Sequence, residues 1–123
     1  MAEKEAKFSA AGGPLEVEIA IGEIKVATSD LFIFDKNGKR LQHNAGDEND
    51  DTFPITKPLG LLDDAIVRWT AIINAPNNKP NQKWTVTATI RQDGQPIEDG
   101  VIPNSGTFQT VTVMTDKVRL TAK

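Results

Sequence analysis

The sequence predicts an all-β protein: a single antiparallel β-sandwich of immunoglobulin-like or related Greek-key type, with about seven to nine strands. Three observations predict it. Ala65–Ile73 alternates, placing Ala65, Val67, Trp69, Ala71 and Ile73 on one face. Trp84–Ile90 repeats the pattern, with Trp84, Val86, Ala88 and Ile90 set against Thr85, Thr87 and Thr89. A period of two over such lengths marks half-buried strands, and both tryptophans fall on the inward faces, where they serve one core. Gly, Pro and Asn turns punctuate the rest of the chain, and helical periodicity is confined to one turn at Leu59–Asp63. A small barrel or jelly roll is the alternative architecture.

Each element follows in order. The charged Met1–Lys7 and the small residues up to Gly13 read as a flexible N-terminal segment, residues 1–13. Leu15–Ile21 is the first strand, with Leu15, Val17, Ile19 and Ile21 inward; Gly22-Glu23 interrupts it, Ile24–Thr28 resumes it, and Ser29-Asp30 breaks it again. Leu31–Phe34 is short and apolar on both faces, Leu31 and Ile33 pointing away from Phe32 and Phe34. Asp35–Gly38 turns it into Lys39–Leu41, since an Asn-Gly pair tolerates positive φ. His43–Asp64 reads as a loop holding Pro54, Pro58 and the acidic run Asp47–Asp51, anchored by Phe53, Ile55, Leu59, Leu61 and Leu62, with a short edge strand near Thr52–Thr56. A loop of that length in a compact domain is normally functional or poorly ordered. Asn74–Lys83 joins the two central strands, and Arg91–Pro96 is a turn with Asp93-Gly94 at its tip. Ile97–Ser105 reads as irregular. Gly106–Met114 is strand-like, with Phe108 out of phase with Val111 and Val113, so a bulge is expected near Gln109–Thr110. Thr115-Asp116 reads as a turn before a closing strand, Val118–Thr121.

Composition narrows the function classes. A chain of 123 residues is one domain, residues 1–123, long enough to bury a real core. A net charge of −3 and a pI near 5.1 give no footprint for nucleic acid, and the densest basic group, Lys36, Lys39 and Arg40, fits a solvated hairpin tip. No apolar run reaches the roughly 18–20 residues that cross a bilayer, so no membrane partner is expected. The N-terminus lacks an apolar signal core. The expectation is a soluble cytoplasmic protein, or a secreted one if a signal precedes this sequence.

Candidate chemistry is sparse. The chain has one histidine, His43, no cysteine, and the serines Ser9, Ser29 and Ser105. A nucleophile needs a base beside it, and catalytic zinc needs several His or Cys ligands, so neither is expected. Gly12-Gly13 leads into a strand rather than a helix, which removes a phosphate loop. The acidic run offers hard oxygen ligands, but its spacing fails the EF-hand: counting from Asp47, Thr52 stands where glycine is needed and Pro58 where glutamate is needed. The threonine rows are ordinary for solvent-facing strand positions. The reading is therefore no enzyme and no cofactor, but a β-sandwich that binds or assembles through protein–protein contacts, with a protein partner or a second copy as its target. Its candidate contact residues are Phe32, Phe34, Phe53 and Ile55, the apolar strand and the neighbouring loop. The alternatives are a calcium-binding sandwich using Asp47, Asp50 and Asp51, and a small hydrolase with a carboxylate-based site.

Overall fold

The structure, a computed structural model, describes residues 4–22, 26–47, 50–74, 83–107 and 111–123. Nine strands build it: β1 (Glu5–Phe8), β2 (Leu15–Gly22), β3 (Val26–Phe34), β4 (Arg40–Gly46), β5 (Asp50–Pro54), β6 (Ile66–Asn74), β7 (Lys83–Gln92), β8 (Gln95–Thr107) and β9 (Val111–Ala122), with a four-residue helix α1 (Leu59–Leu62) between β5 and β6. They hydrogen-bond into one sheet of order β4-β3-β6-β9-β1-β8-β7-β2-β5. Its two end strands, β4 and β5, are brought side by side, so the sheet is nearly closed and barrel-like.

The inward faces read from alternation are the core. Leu15, Val17, Ile19 and Ile21 of β2, Val67, Trp69, Ala71 and Ile73 of β6, and Trp84, Val86, Ala88 and Ile90 of β7 are all buried in one cluster with Leu31 and Ile33 of β3. The Asp93-Gly94 tip is a two-residue connection between paired Gln92 and Gln95, with φ of 54° and 81°. Positive φ at both central positions is what lets the turn follow the strand twist. At the other hairpin only Gly38 is left-handed, at φ 85°. There Gly38 N–H donates to Asp35 O and Asp35 N–H to Lys39 O, a tight turn followed by a glycine bulge.

The antiparallel sandwich gives way to a barrel-like sheet because of β1. Residues 1–13 were expected to be flexible; instead Glu5–Phe8 is an internal strand with Ala6 and Phe8 buried. It pairs parallel with β9, Glu5 opposite Arg119 through Phe8 opposite Ala122, and antiparallel with β8 at Lys7–Glu98. The first and last strands thus join the walls β4-β3-β6-β9 and β8-β7-β2-β5 that a sandwich would keep apart. Three expected breaks are also strand. β3 runs through Ser29-Asp30, β9 runs through Thr115-Asp116, and Ile97–Ser105 lies within β8. β8 carries its irregularity as a bulge: Thr89 pairs with Val101 and Arg91 with Pro96, leaving residues 97–100 opposite Ile90. That kink carries β8 to its meeting with β1. The bulge expected at Gln109–Thr110 and most of the β6–β7 connection lie outside the described residues.

The seams on either side are stitched by side chains. Gln42 of β4 donates Nε2–H to Pro54 O at 2.9 Å and accepts from Thr56 N–H at 3.1 Å, where no ladder joins β4 to β5. At the other seam β1 begins only at Glu5, and on the N-terminal side of it Asn104 Nδ2–H of β8 donates to Asp116 Oδ2 of β9 at 2.8 Å, with Lys4 paired to the same carboxylate.

Candidate functional site

The outward face of β4-β3-β6-β9 holds a continuous group of rings and cations. Alternation along β3 sends Leu31 and Ile33 into the core and leaves Phe32 and Phe34 half-buried outside. The register aligns His43 of β4, Phe32 of β3, Arg68 of β6 and Lys117 of β9 in one cross-strand row. Phe34, Ile66 and Arg119 form the next row on the same face. His43 stacks on Phe32 with ring centroids 4.3 Å apart and 4° between planes, and Phe34 lies 6.1 Å from Phe32 at 12°. The Arg68 guanidinium carbon sits 5.1 Å from the Phe32 centroid and 4.9 Å from that of Phe34. A cation over an aromatic face is worth about 0.5–1 kcal/mol at an exposed site. His43 Nε2 lies 3.0 Å from Asp30 Oδ1, which fixes the ring's direction.

Beside the stack, the turn after β3 and strands β6 and β9 enclose a cleft of about 350 Å³. Its lining mixes Phe34 and Ile66 with Lys36, Arg68, Lys117 and Arg119, and Asp35 is the carboxylate among them.

The four expected contact residues divide. Phe32 and Phe34 share the outward face, whereas Phe53 and Ile55 are buried core residues, with exposures of 7% and 2%. The expected loop is shorter than its sequence suggests: β4 reaches Gly46, β5 begins at Asp50, and β5's alternation turns Phe53 inward against β2. His43 and Arg68 were missed as contact residues. An alternation analysis extended from Phe32 across the neighbouring strands would place them only if the register were known.

The acidic run does not converge either. Asp50 and Asp51 are neighbours in an extended strand, so they point to opposite sides. Asp50 hydrogen-bonds Glu18 on the outer face of β2, while the Asp51 carboxylate lies where a Cβ on Gly46 would stand, so that close approach requires glycine. Asp47 lines a different cleft with Thr28 and Asp30. Glu48 and Asn49 lie outside the described residues, among which no three His, Cys, Asp or Glu gather as metal ligands. The Glu18–Asp50 contact divides the two acids. The hydrogen bond from Asp50, and then Arg91 at 2.9 Å, hold Glu18 below the usual carboxylate range; the hydrogen bond to Glu18, and then burial, hold Asp50 above it. Of the two, Asp50 is the one that takes up a proton first as pH falls. Carboxyl groups in direct contact leave no room for the sugar ring and water of a glycosidase, which separates them by about 5 Å or more.

No protein-family model matches the chain, and no curated protein does. Among solved structures the chain is similar to a DUF4425 family protein from Bacteroides ovatus, with 9% identity and a TM-score of 0.52 over 87% of this chain and 96% of that one. It is likewise similar to a domain of unknown function, DUF4425, from Bacteroides vulgatus, with 6% identity and a TM-score of 0.52 over 87% of this chain and 94% of that one. At these identities the likeness is one of fold, and it places the chain among all-β proteins of this architecture.

Proposed function

We propose that the protein is a non-enzymatic binding module that docks a polypeptide partner on the outer face of β4-β3-β6-β9. One observation carries the reading: Phe32 and Phe34 stand partly exposed side by side on a sheet face, held rigid by His43 and Arg68. Pre-ordered aromatic and guanidinium groups lose little entropy on binding, which is why such residues anchor interfaces. Fully burying a phenylalanine is worth roughly 1.5–3 kcal/mol, and these two are already largely buried, so at most about a third of that is available from each. His43 is engaged by Asp30 and Phe32, and Ser29 on the adjacent strand turns its Oγ inward, so neither is arranged as a base–nucleophile pair. The calcium reading is not favoured, because Asp50 and Asp51 diverge.

The test is selection of displayed twelve-residue random peptides on the immobilised protein, followed by binding to Phe32→Ser and Phe34→Ser. The expected result is a recurrent peptide class that binds the wild type and is lost by both variants while each keeps its melting transition. Mass measurement in solution identifies a second copy as the occupant if the wild type is dimeric and the variants are monomeric. Peptides that bind wild type and variants alike, or variants that lose the fold first, overturn the reading.

A further inference from the structure

We infer that the cleft between the β3–β4 turn and strands β6 and β9 seats a carboxylate of an acidic polypeptide segment. This rests on the reading that the face docks a polypeptide, and adds what that polypeptide must carry.

The argument begins with register. Arg68 and Lys117 are directly opposite on paired strands, and Arg119 follows two residues along the same face of β9. Opposite positions bring side chains within roughly 5 Å at Cβ, and like charges placed there oppose pairing. Among the described residues neither Arg68 nor Lys117 has a carboxylate partner. Asp35, the carboxylate in the lining, is turned to its own hairpin, its Oδ1 accepting from the Asn37 and Lys39 amides at 2.9 Å each. Arg119 is fixed at the rim, its Nη1–H donating to Asp64 O at 2.9 Å. Lys36 adds a further cation from the turn. The chain as a whole carries −3, so this basic concentration runs against the sign of the molecule.

Rigidity and shape select the ligand. Stacking on Phe32 and Phe34 directs the guanidinium of Arg68, and a guanidinium presents N–H donors in a planar fork that fits a carboxylate bidentately. Phe34 and Ile66 line the cleft beside the cations, so a segment bound over them would displace water there and strengthen the charge interaction. Phe34 belongs to both the cleft and the ring stack, so an acidic residue in the cleft places its apolar chain neighbour on Phe32 and His43. A free small anion gains nothing from that second surface.

The experiment is an amide NMR titration of the labelled protein with three probes: a peptide of alternating Glu and Phe, its Gln–Phe counterpart, and inorganic phosphate. The expected result is saturable shifts at residues 66–68 and 117–119 with the Glu peptide. Affinity should weaken about tenfold or more with the Gln peptide, with the double variant Arg68→Gln, Lys117→Gln, and as NaCl rises from about 50 to about 300 mM. The double variant removes two opposed cations, so its melting transition should be retained, which separates lost binding from lost fold. Equal binding of both peptides, unchanged binding by the double variant, or phosphate that competes at concentrations equal to the peptide's overturns the assignment. If both peptides bind equally and Phe32→Ser abolishes both, the docking face stands and the carboxylate assignment alone falls. If neither binds, the carboxylate assignment falls and the displayed-peptide selection decides the docking face.

Discussion

Gln92 shows how one side chain can hold a connection. It is nearly buried, accepts from Ser9 N–H at 2.9 Å, and donates to Ser9 O at 2.8 Å and Gly13 O at 2.9 Å, clamping the β1–β2 turn. Gln92→Leu should cost about 1–3 kcal/mol in denaturant unfolding, because the turn's backbone groups lose their partner. Gln92→Glu should be comparably destabilising at neutral pH, where a carboxylate would face two carbonyl oxygens, and should recover on acidification. Asp116 sets the acid side of stability. Burial raises its pKa, but Lys4, Asn104 and the Lys117 amide together outweigh that and hold it below its ordinary value. A carboxylate lowered in the folded state contributes stability above its unfolded pKa, and that contribution is lost as pH falls through the folded value. Asp116→Asn should therefore flatten the fall in melting temperature below about pH 4. Asp50 has the opposite sign: its raised pKa favours the protonated form, so its contribution is lost as pH rises. Asp50→Asn keeps a donor toward Glu18 without needing a proton, and should raise stability by up to about 1 kcal/mol at pH 7. That gain should vanish near pH 3; an equal gain at both pH values would show that the shared proton is not the cause.

Strand edges and seams are the next scale. β4 and β5 end the hydrogen-bonded order, and Gln42 substitutes side-chain bonds for the missing ladder. Gln42→Ala should speed amide exchange at Thr56 and along β4 and β5 while lowering the global unfolding free energy by only about 1 kcal/mol, since water can reach the exposed partners. Exchange accelerated equally in β6 and β7 would mean that closure is global rather than local. Trp84 lies over Gly106, its cross-strand partner, and a Cβ there would come within 2.6 Å of the indole. Gly106→Ala should displace the ring and shift tryptophan fluorescence to the red.

For the whole molecule, one continuous core implies one unfolding event. Trp69, fully buried, and Trp84, 9% exposed, belong to the same cluster, and each Trp→Ala change should cost about 3–5 kcal/mol with a single transition retained. Two separated transitions would mean that the walls β4-β3-β6-β9 and β8-β7-β2-β5 fold independently. The parallel β1–β9 pair argues against that, because it ties Glu5–Phe8 to residues 119–122 and makes both walls depend on the chain's two ends meeting.

Alternation along a strand is a local property, so the sequence by itself determined which side chains of β2, β6 and β7 face the core, whereas β3, apolar on both faces at Leu31–Phe34, left its inward side open. It also determined where Asp93-Gly94 reverses the chain, since positive φ is a preference of those residues alone. What lies beside each strand is a non-local matter, and only the tertiary structure decided it. Glu5–Phe8 has too little apolar surface to declare a strand until β9 and β8 flank it. Asp30 and Asp116 make their segments look like breaks because their carboxylates are satisfied by partners far along the chain, His43 for Asp30 and Lys4 and Asn104 for Asp116. The same holds for the candidate site. Phe32 and Phe34 were legible from alternation, whereas Phe53 and Ile55 were placed outward because a loop was read where β5 packs on β2. Arg68, His43 and Lys117 share a row with Phe32 only through the register of four strands, which the strand patterns leave open and the nearly closed sheet fixes.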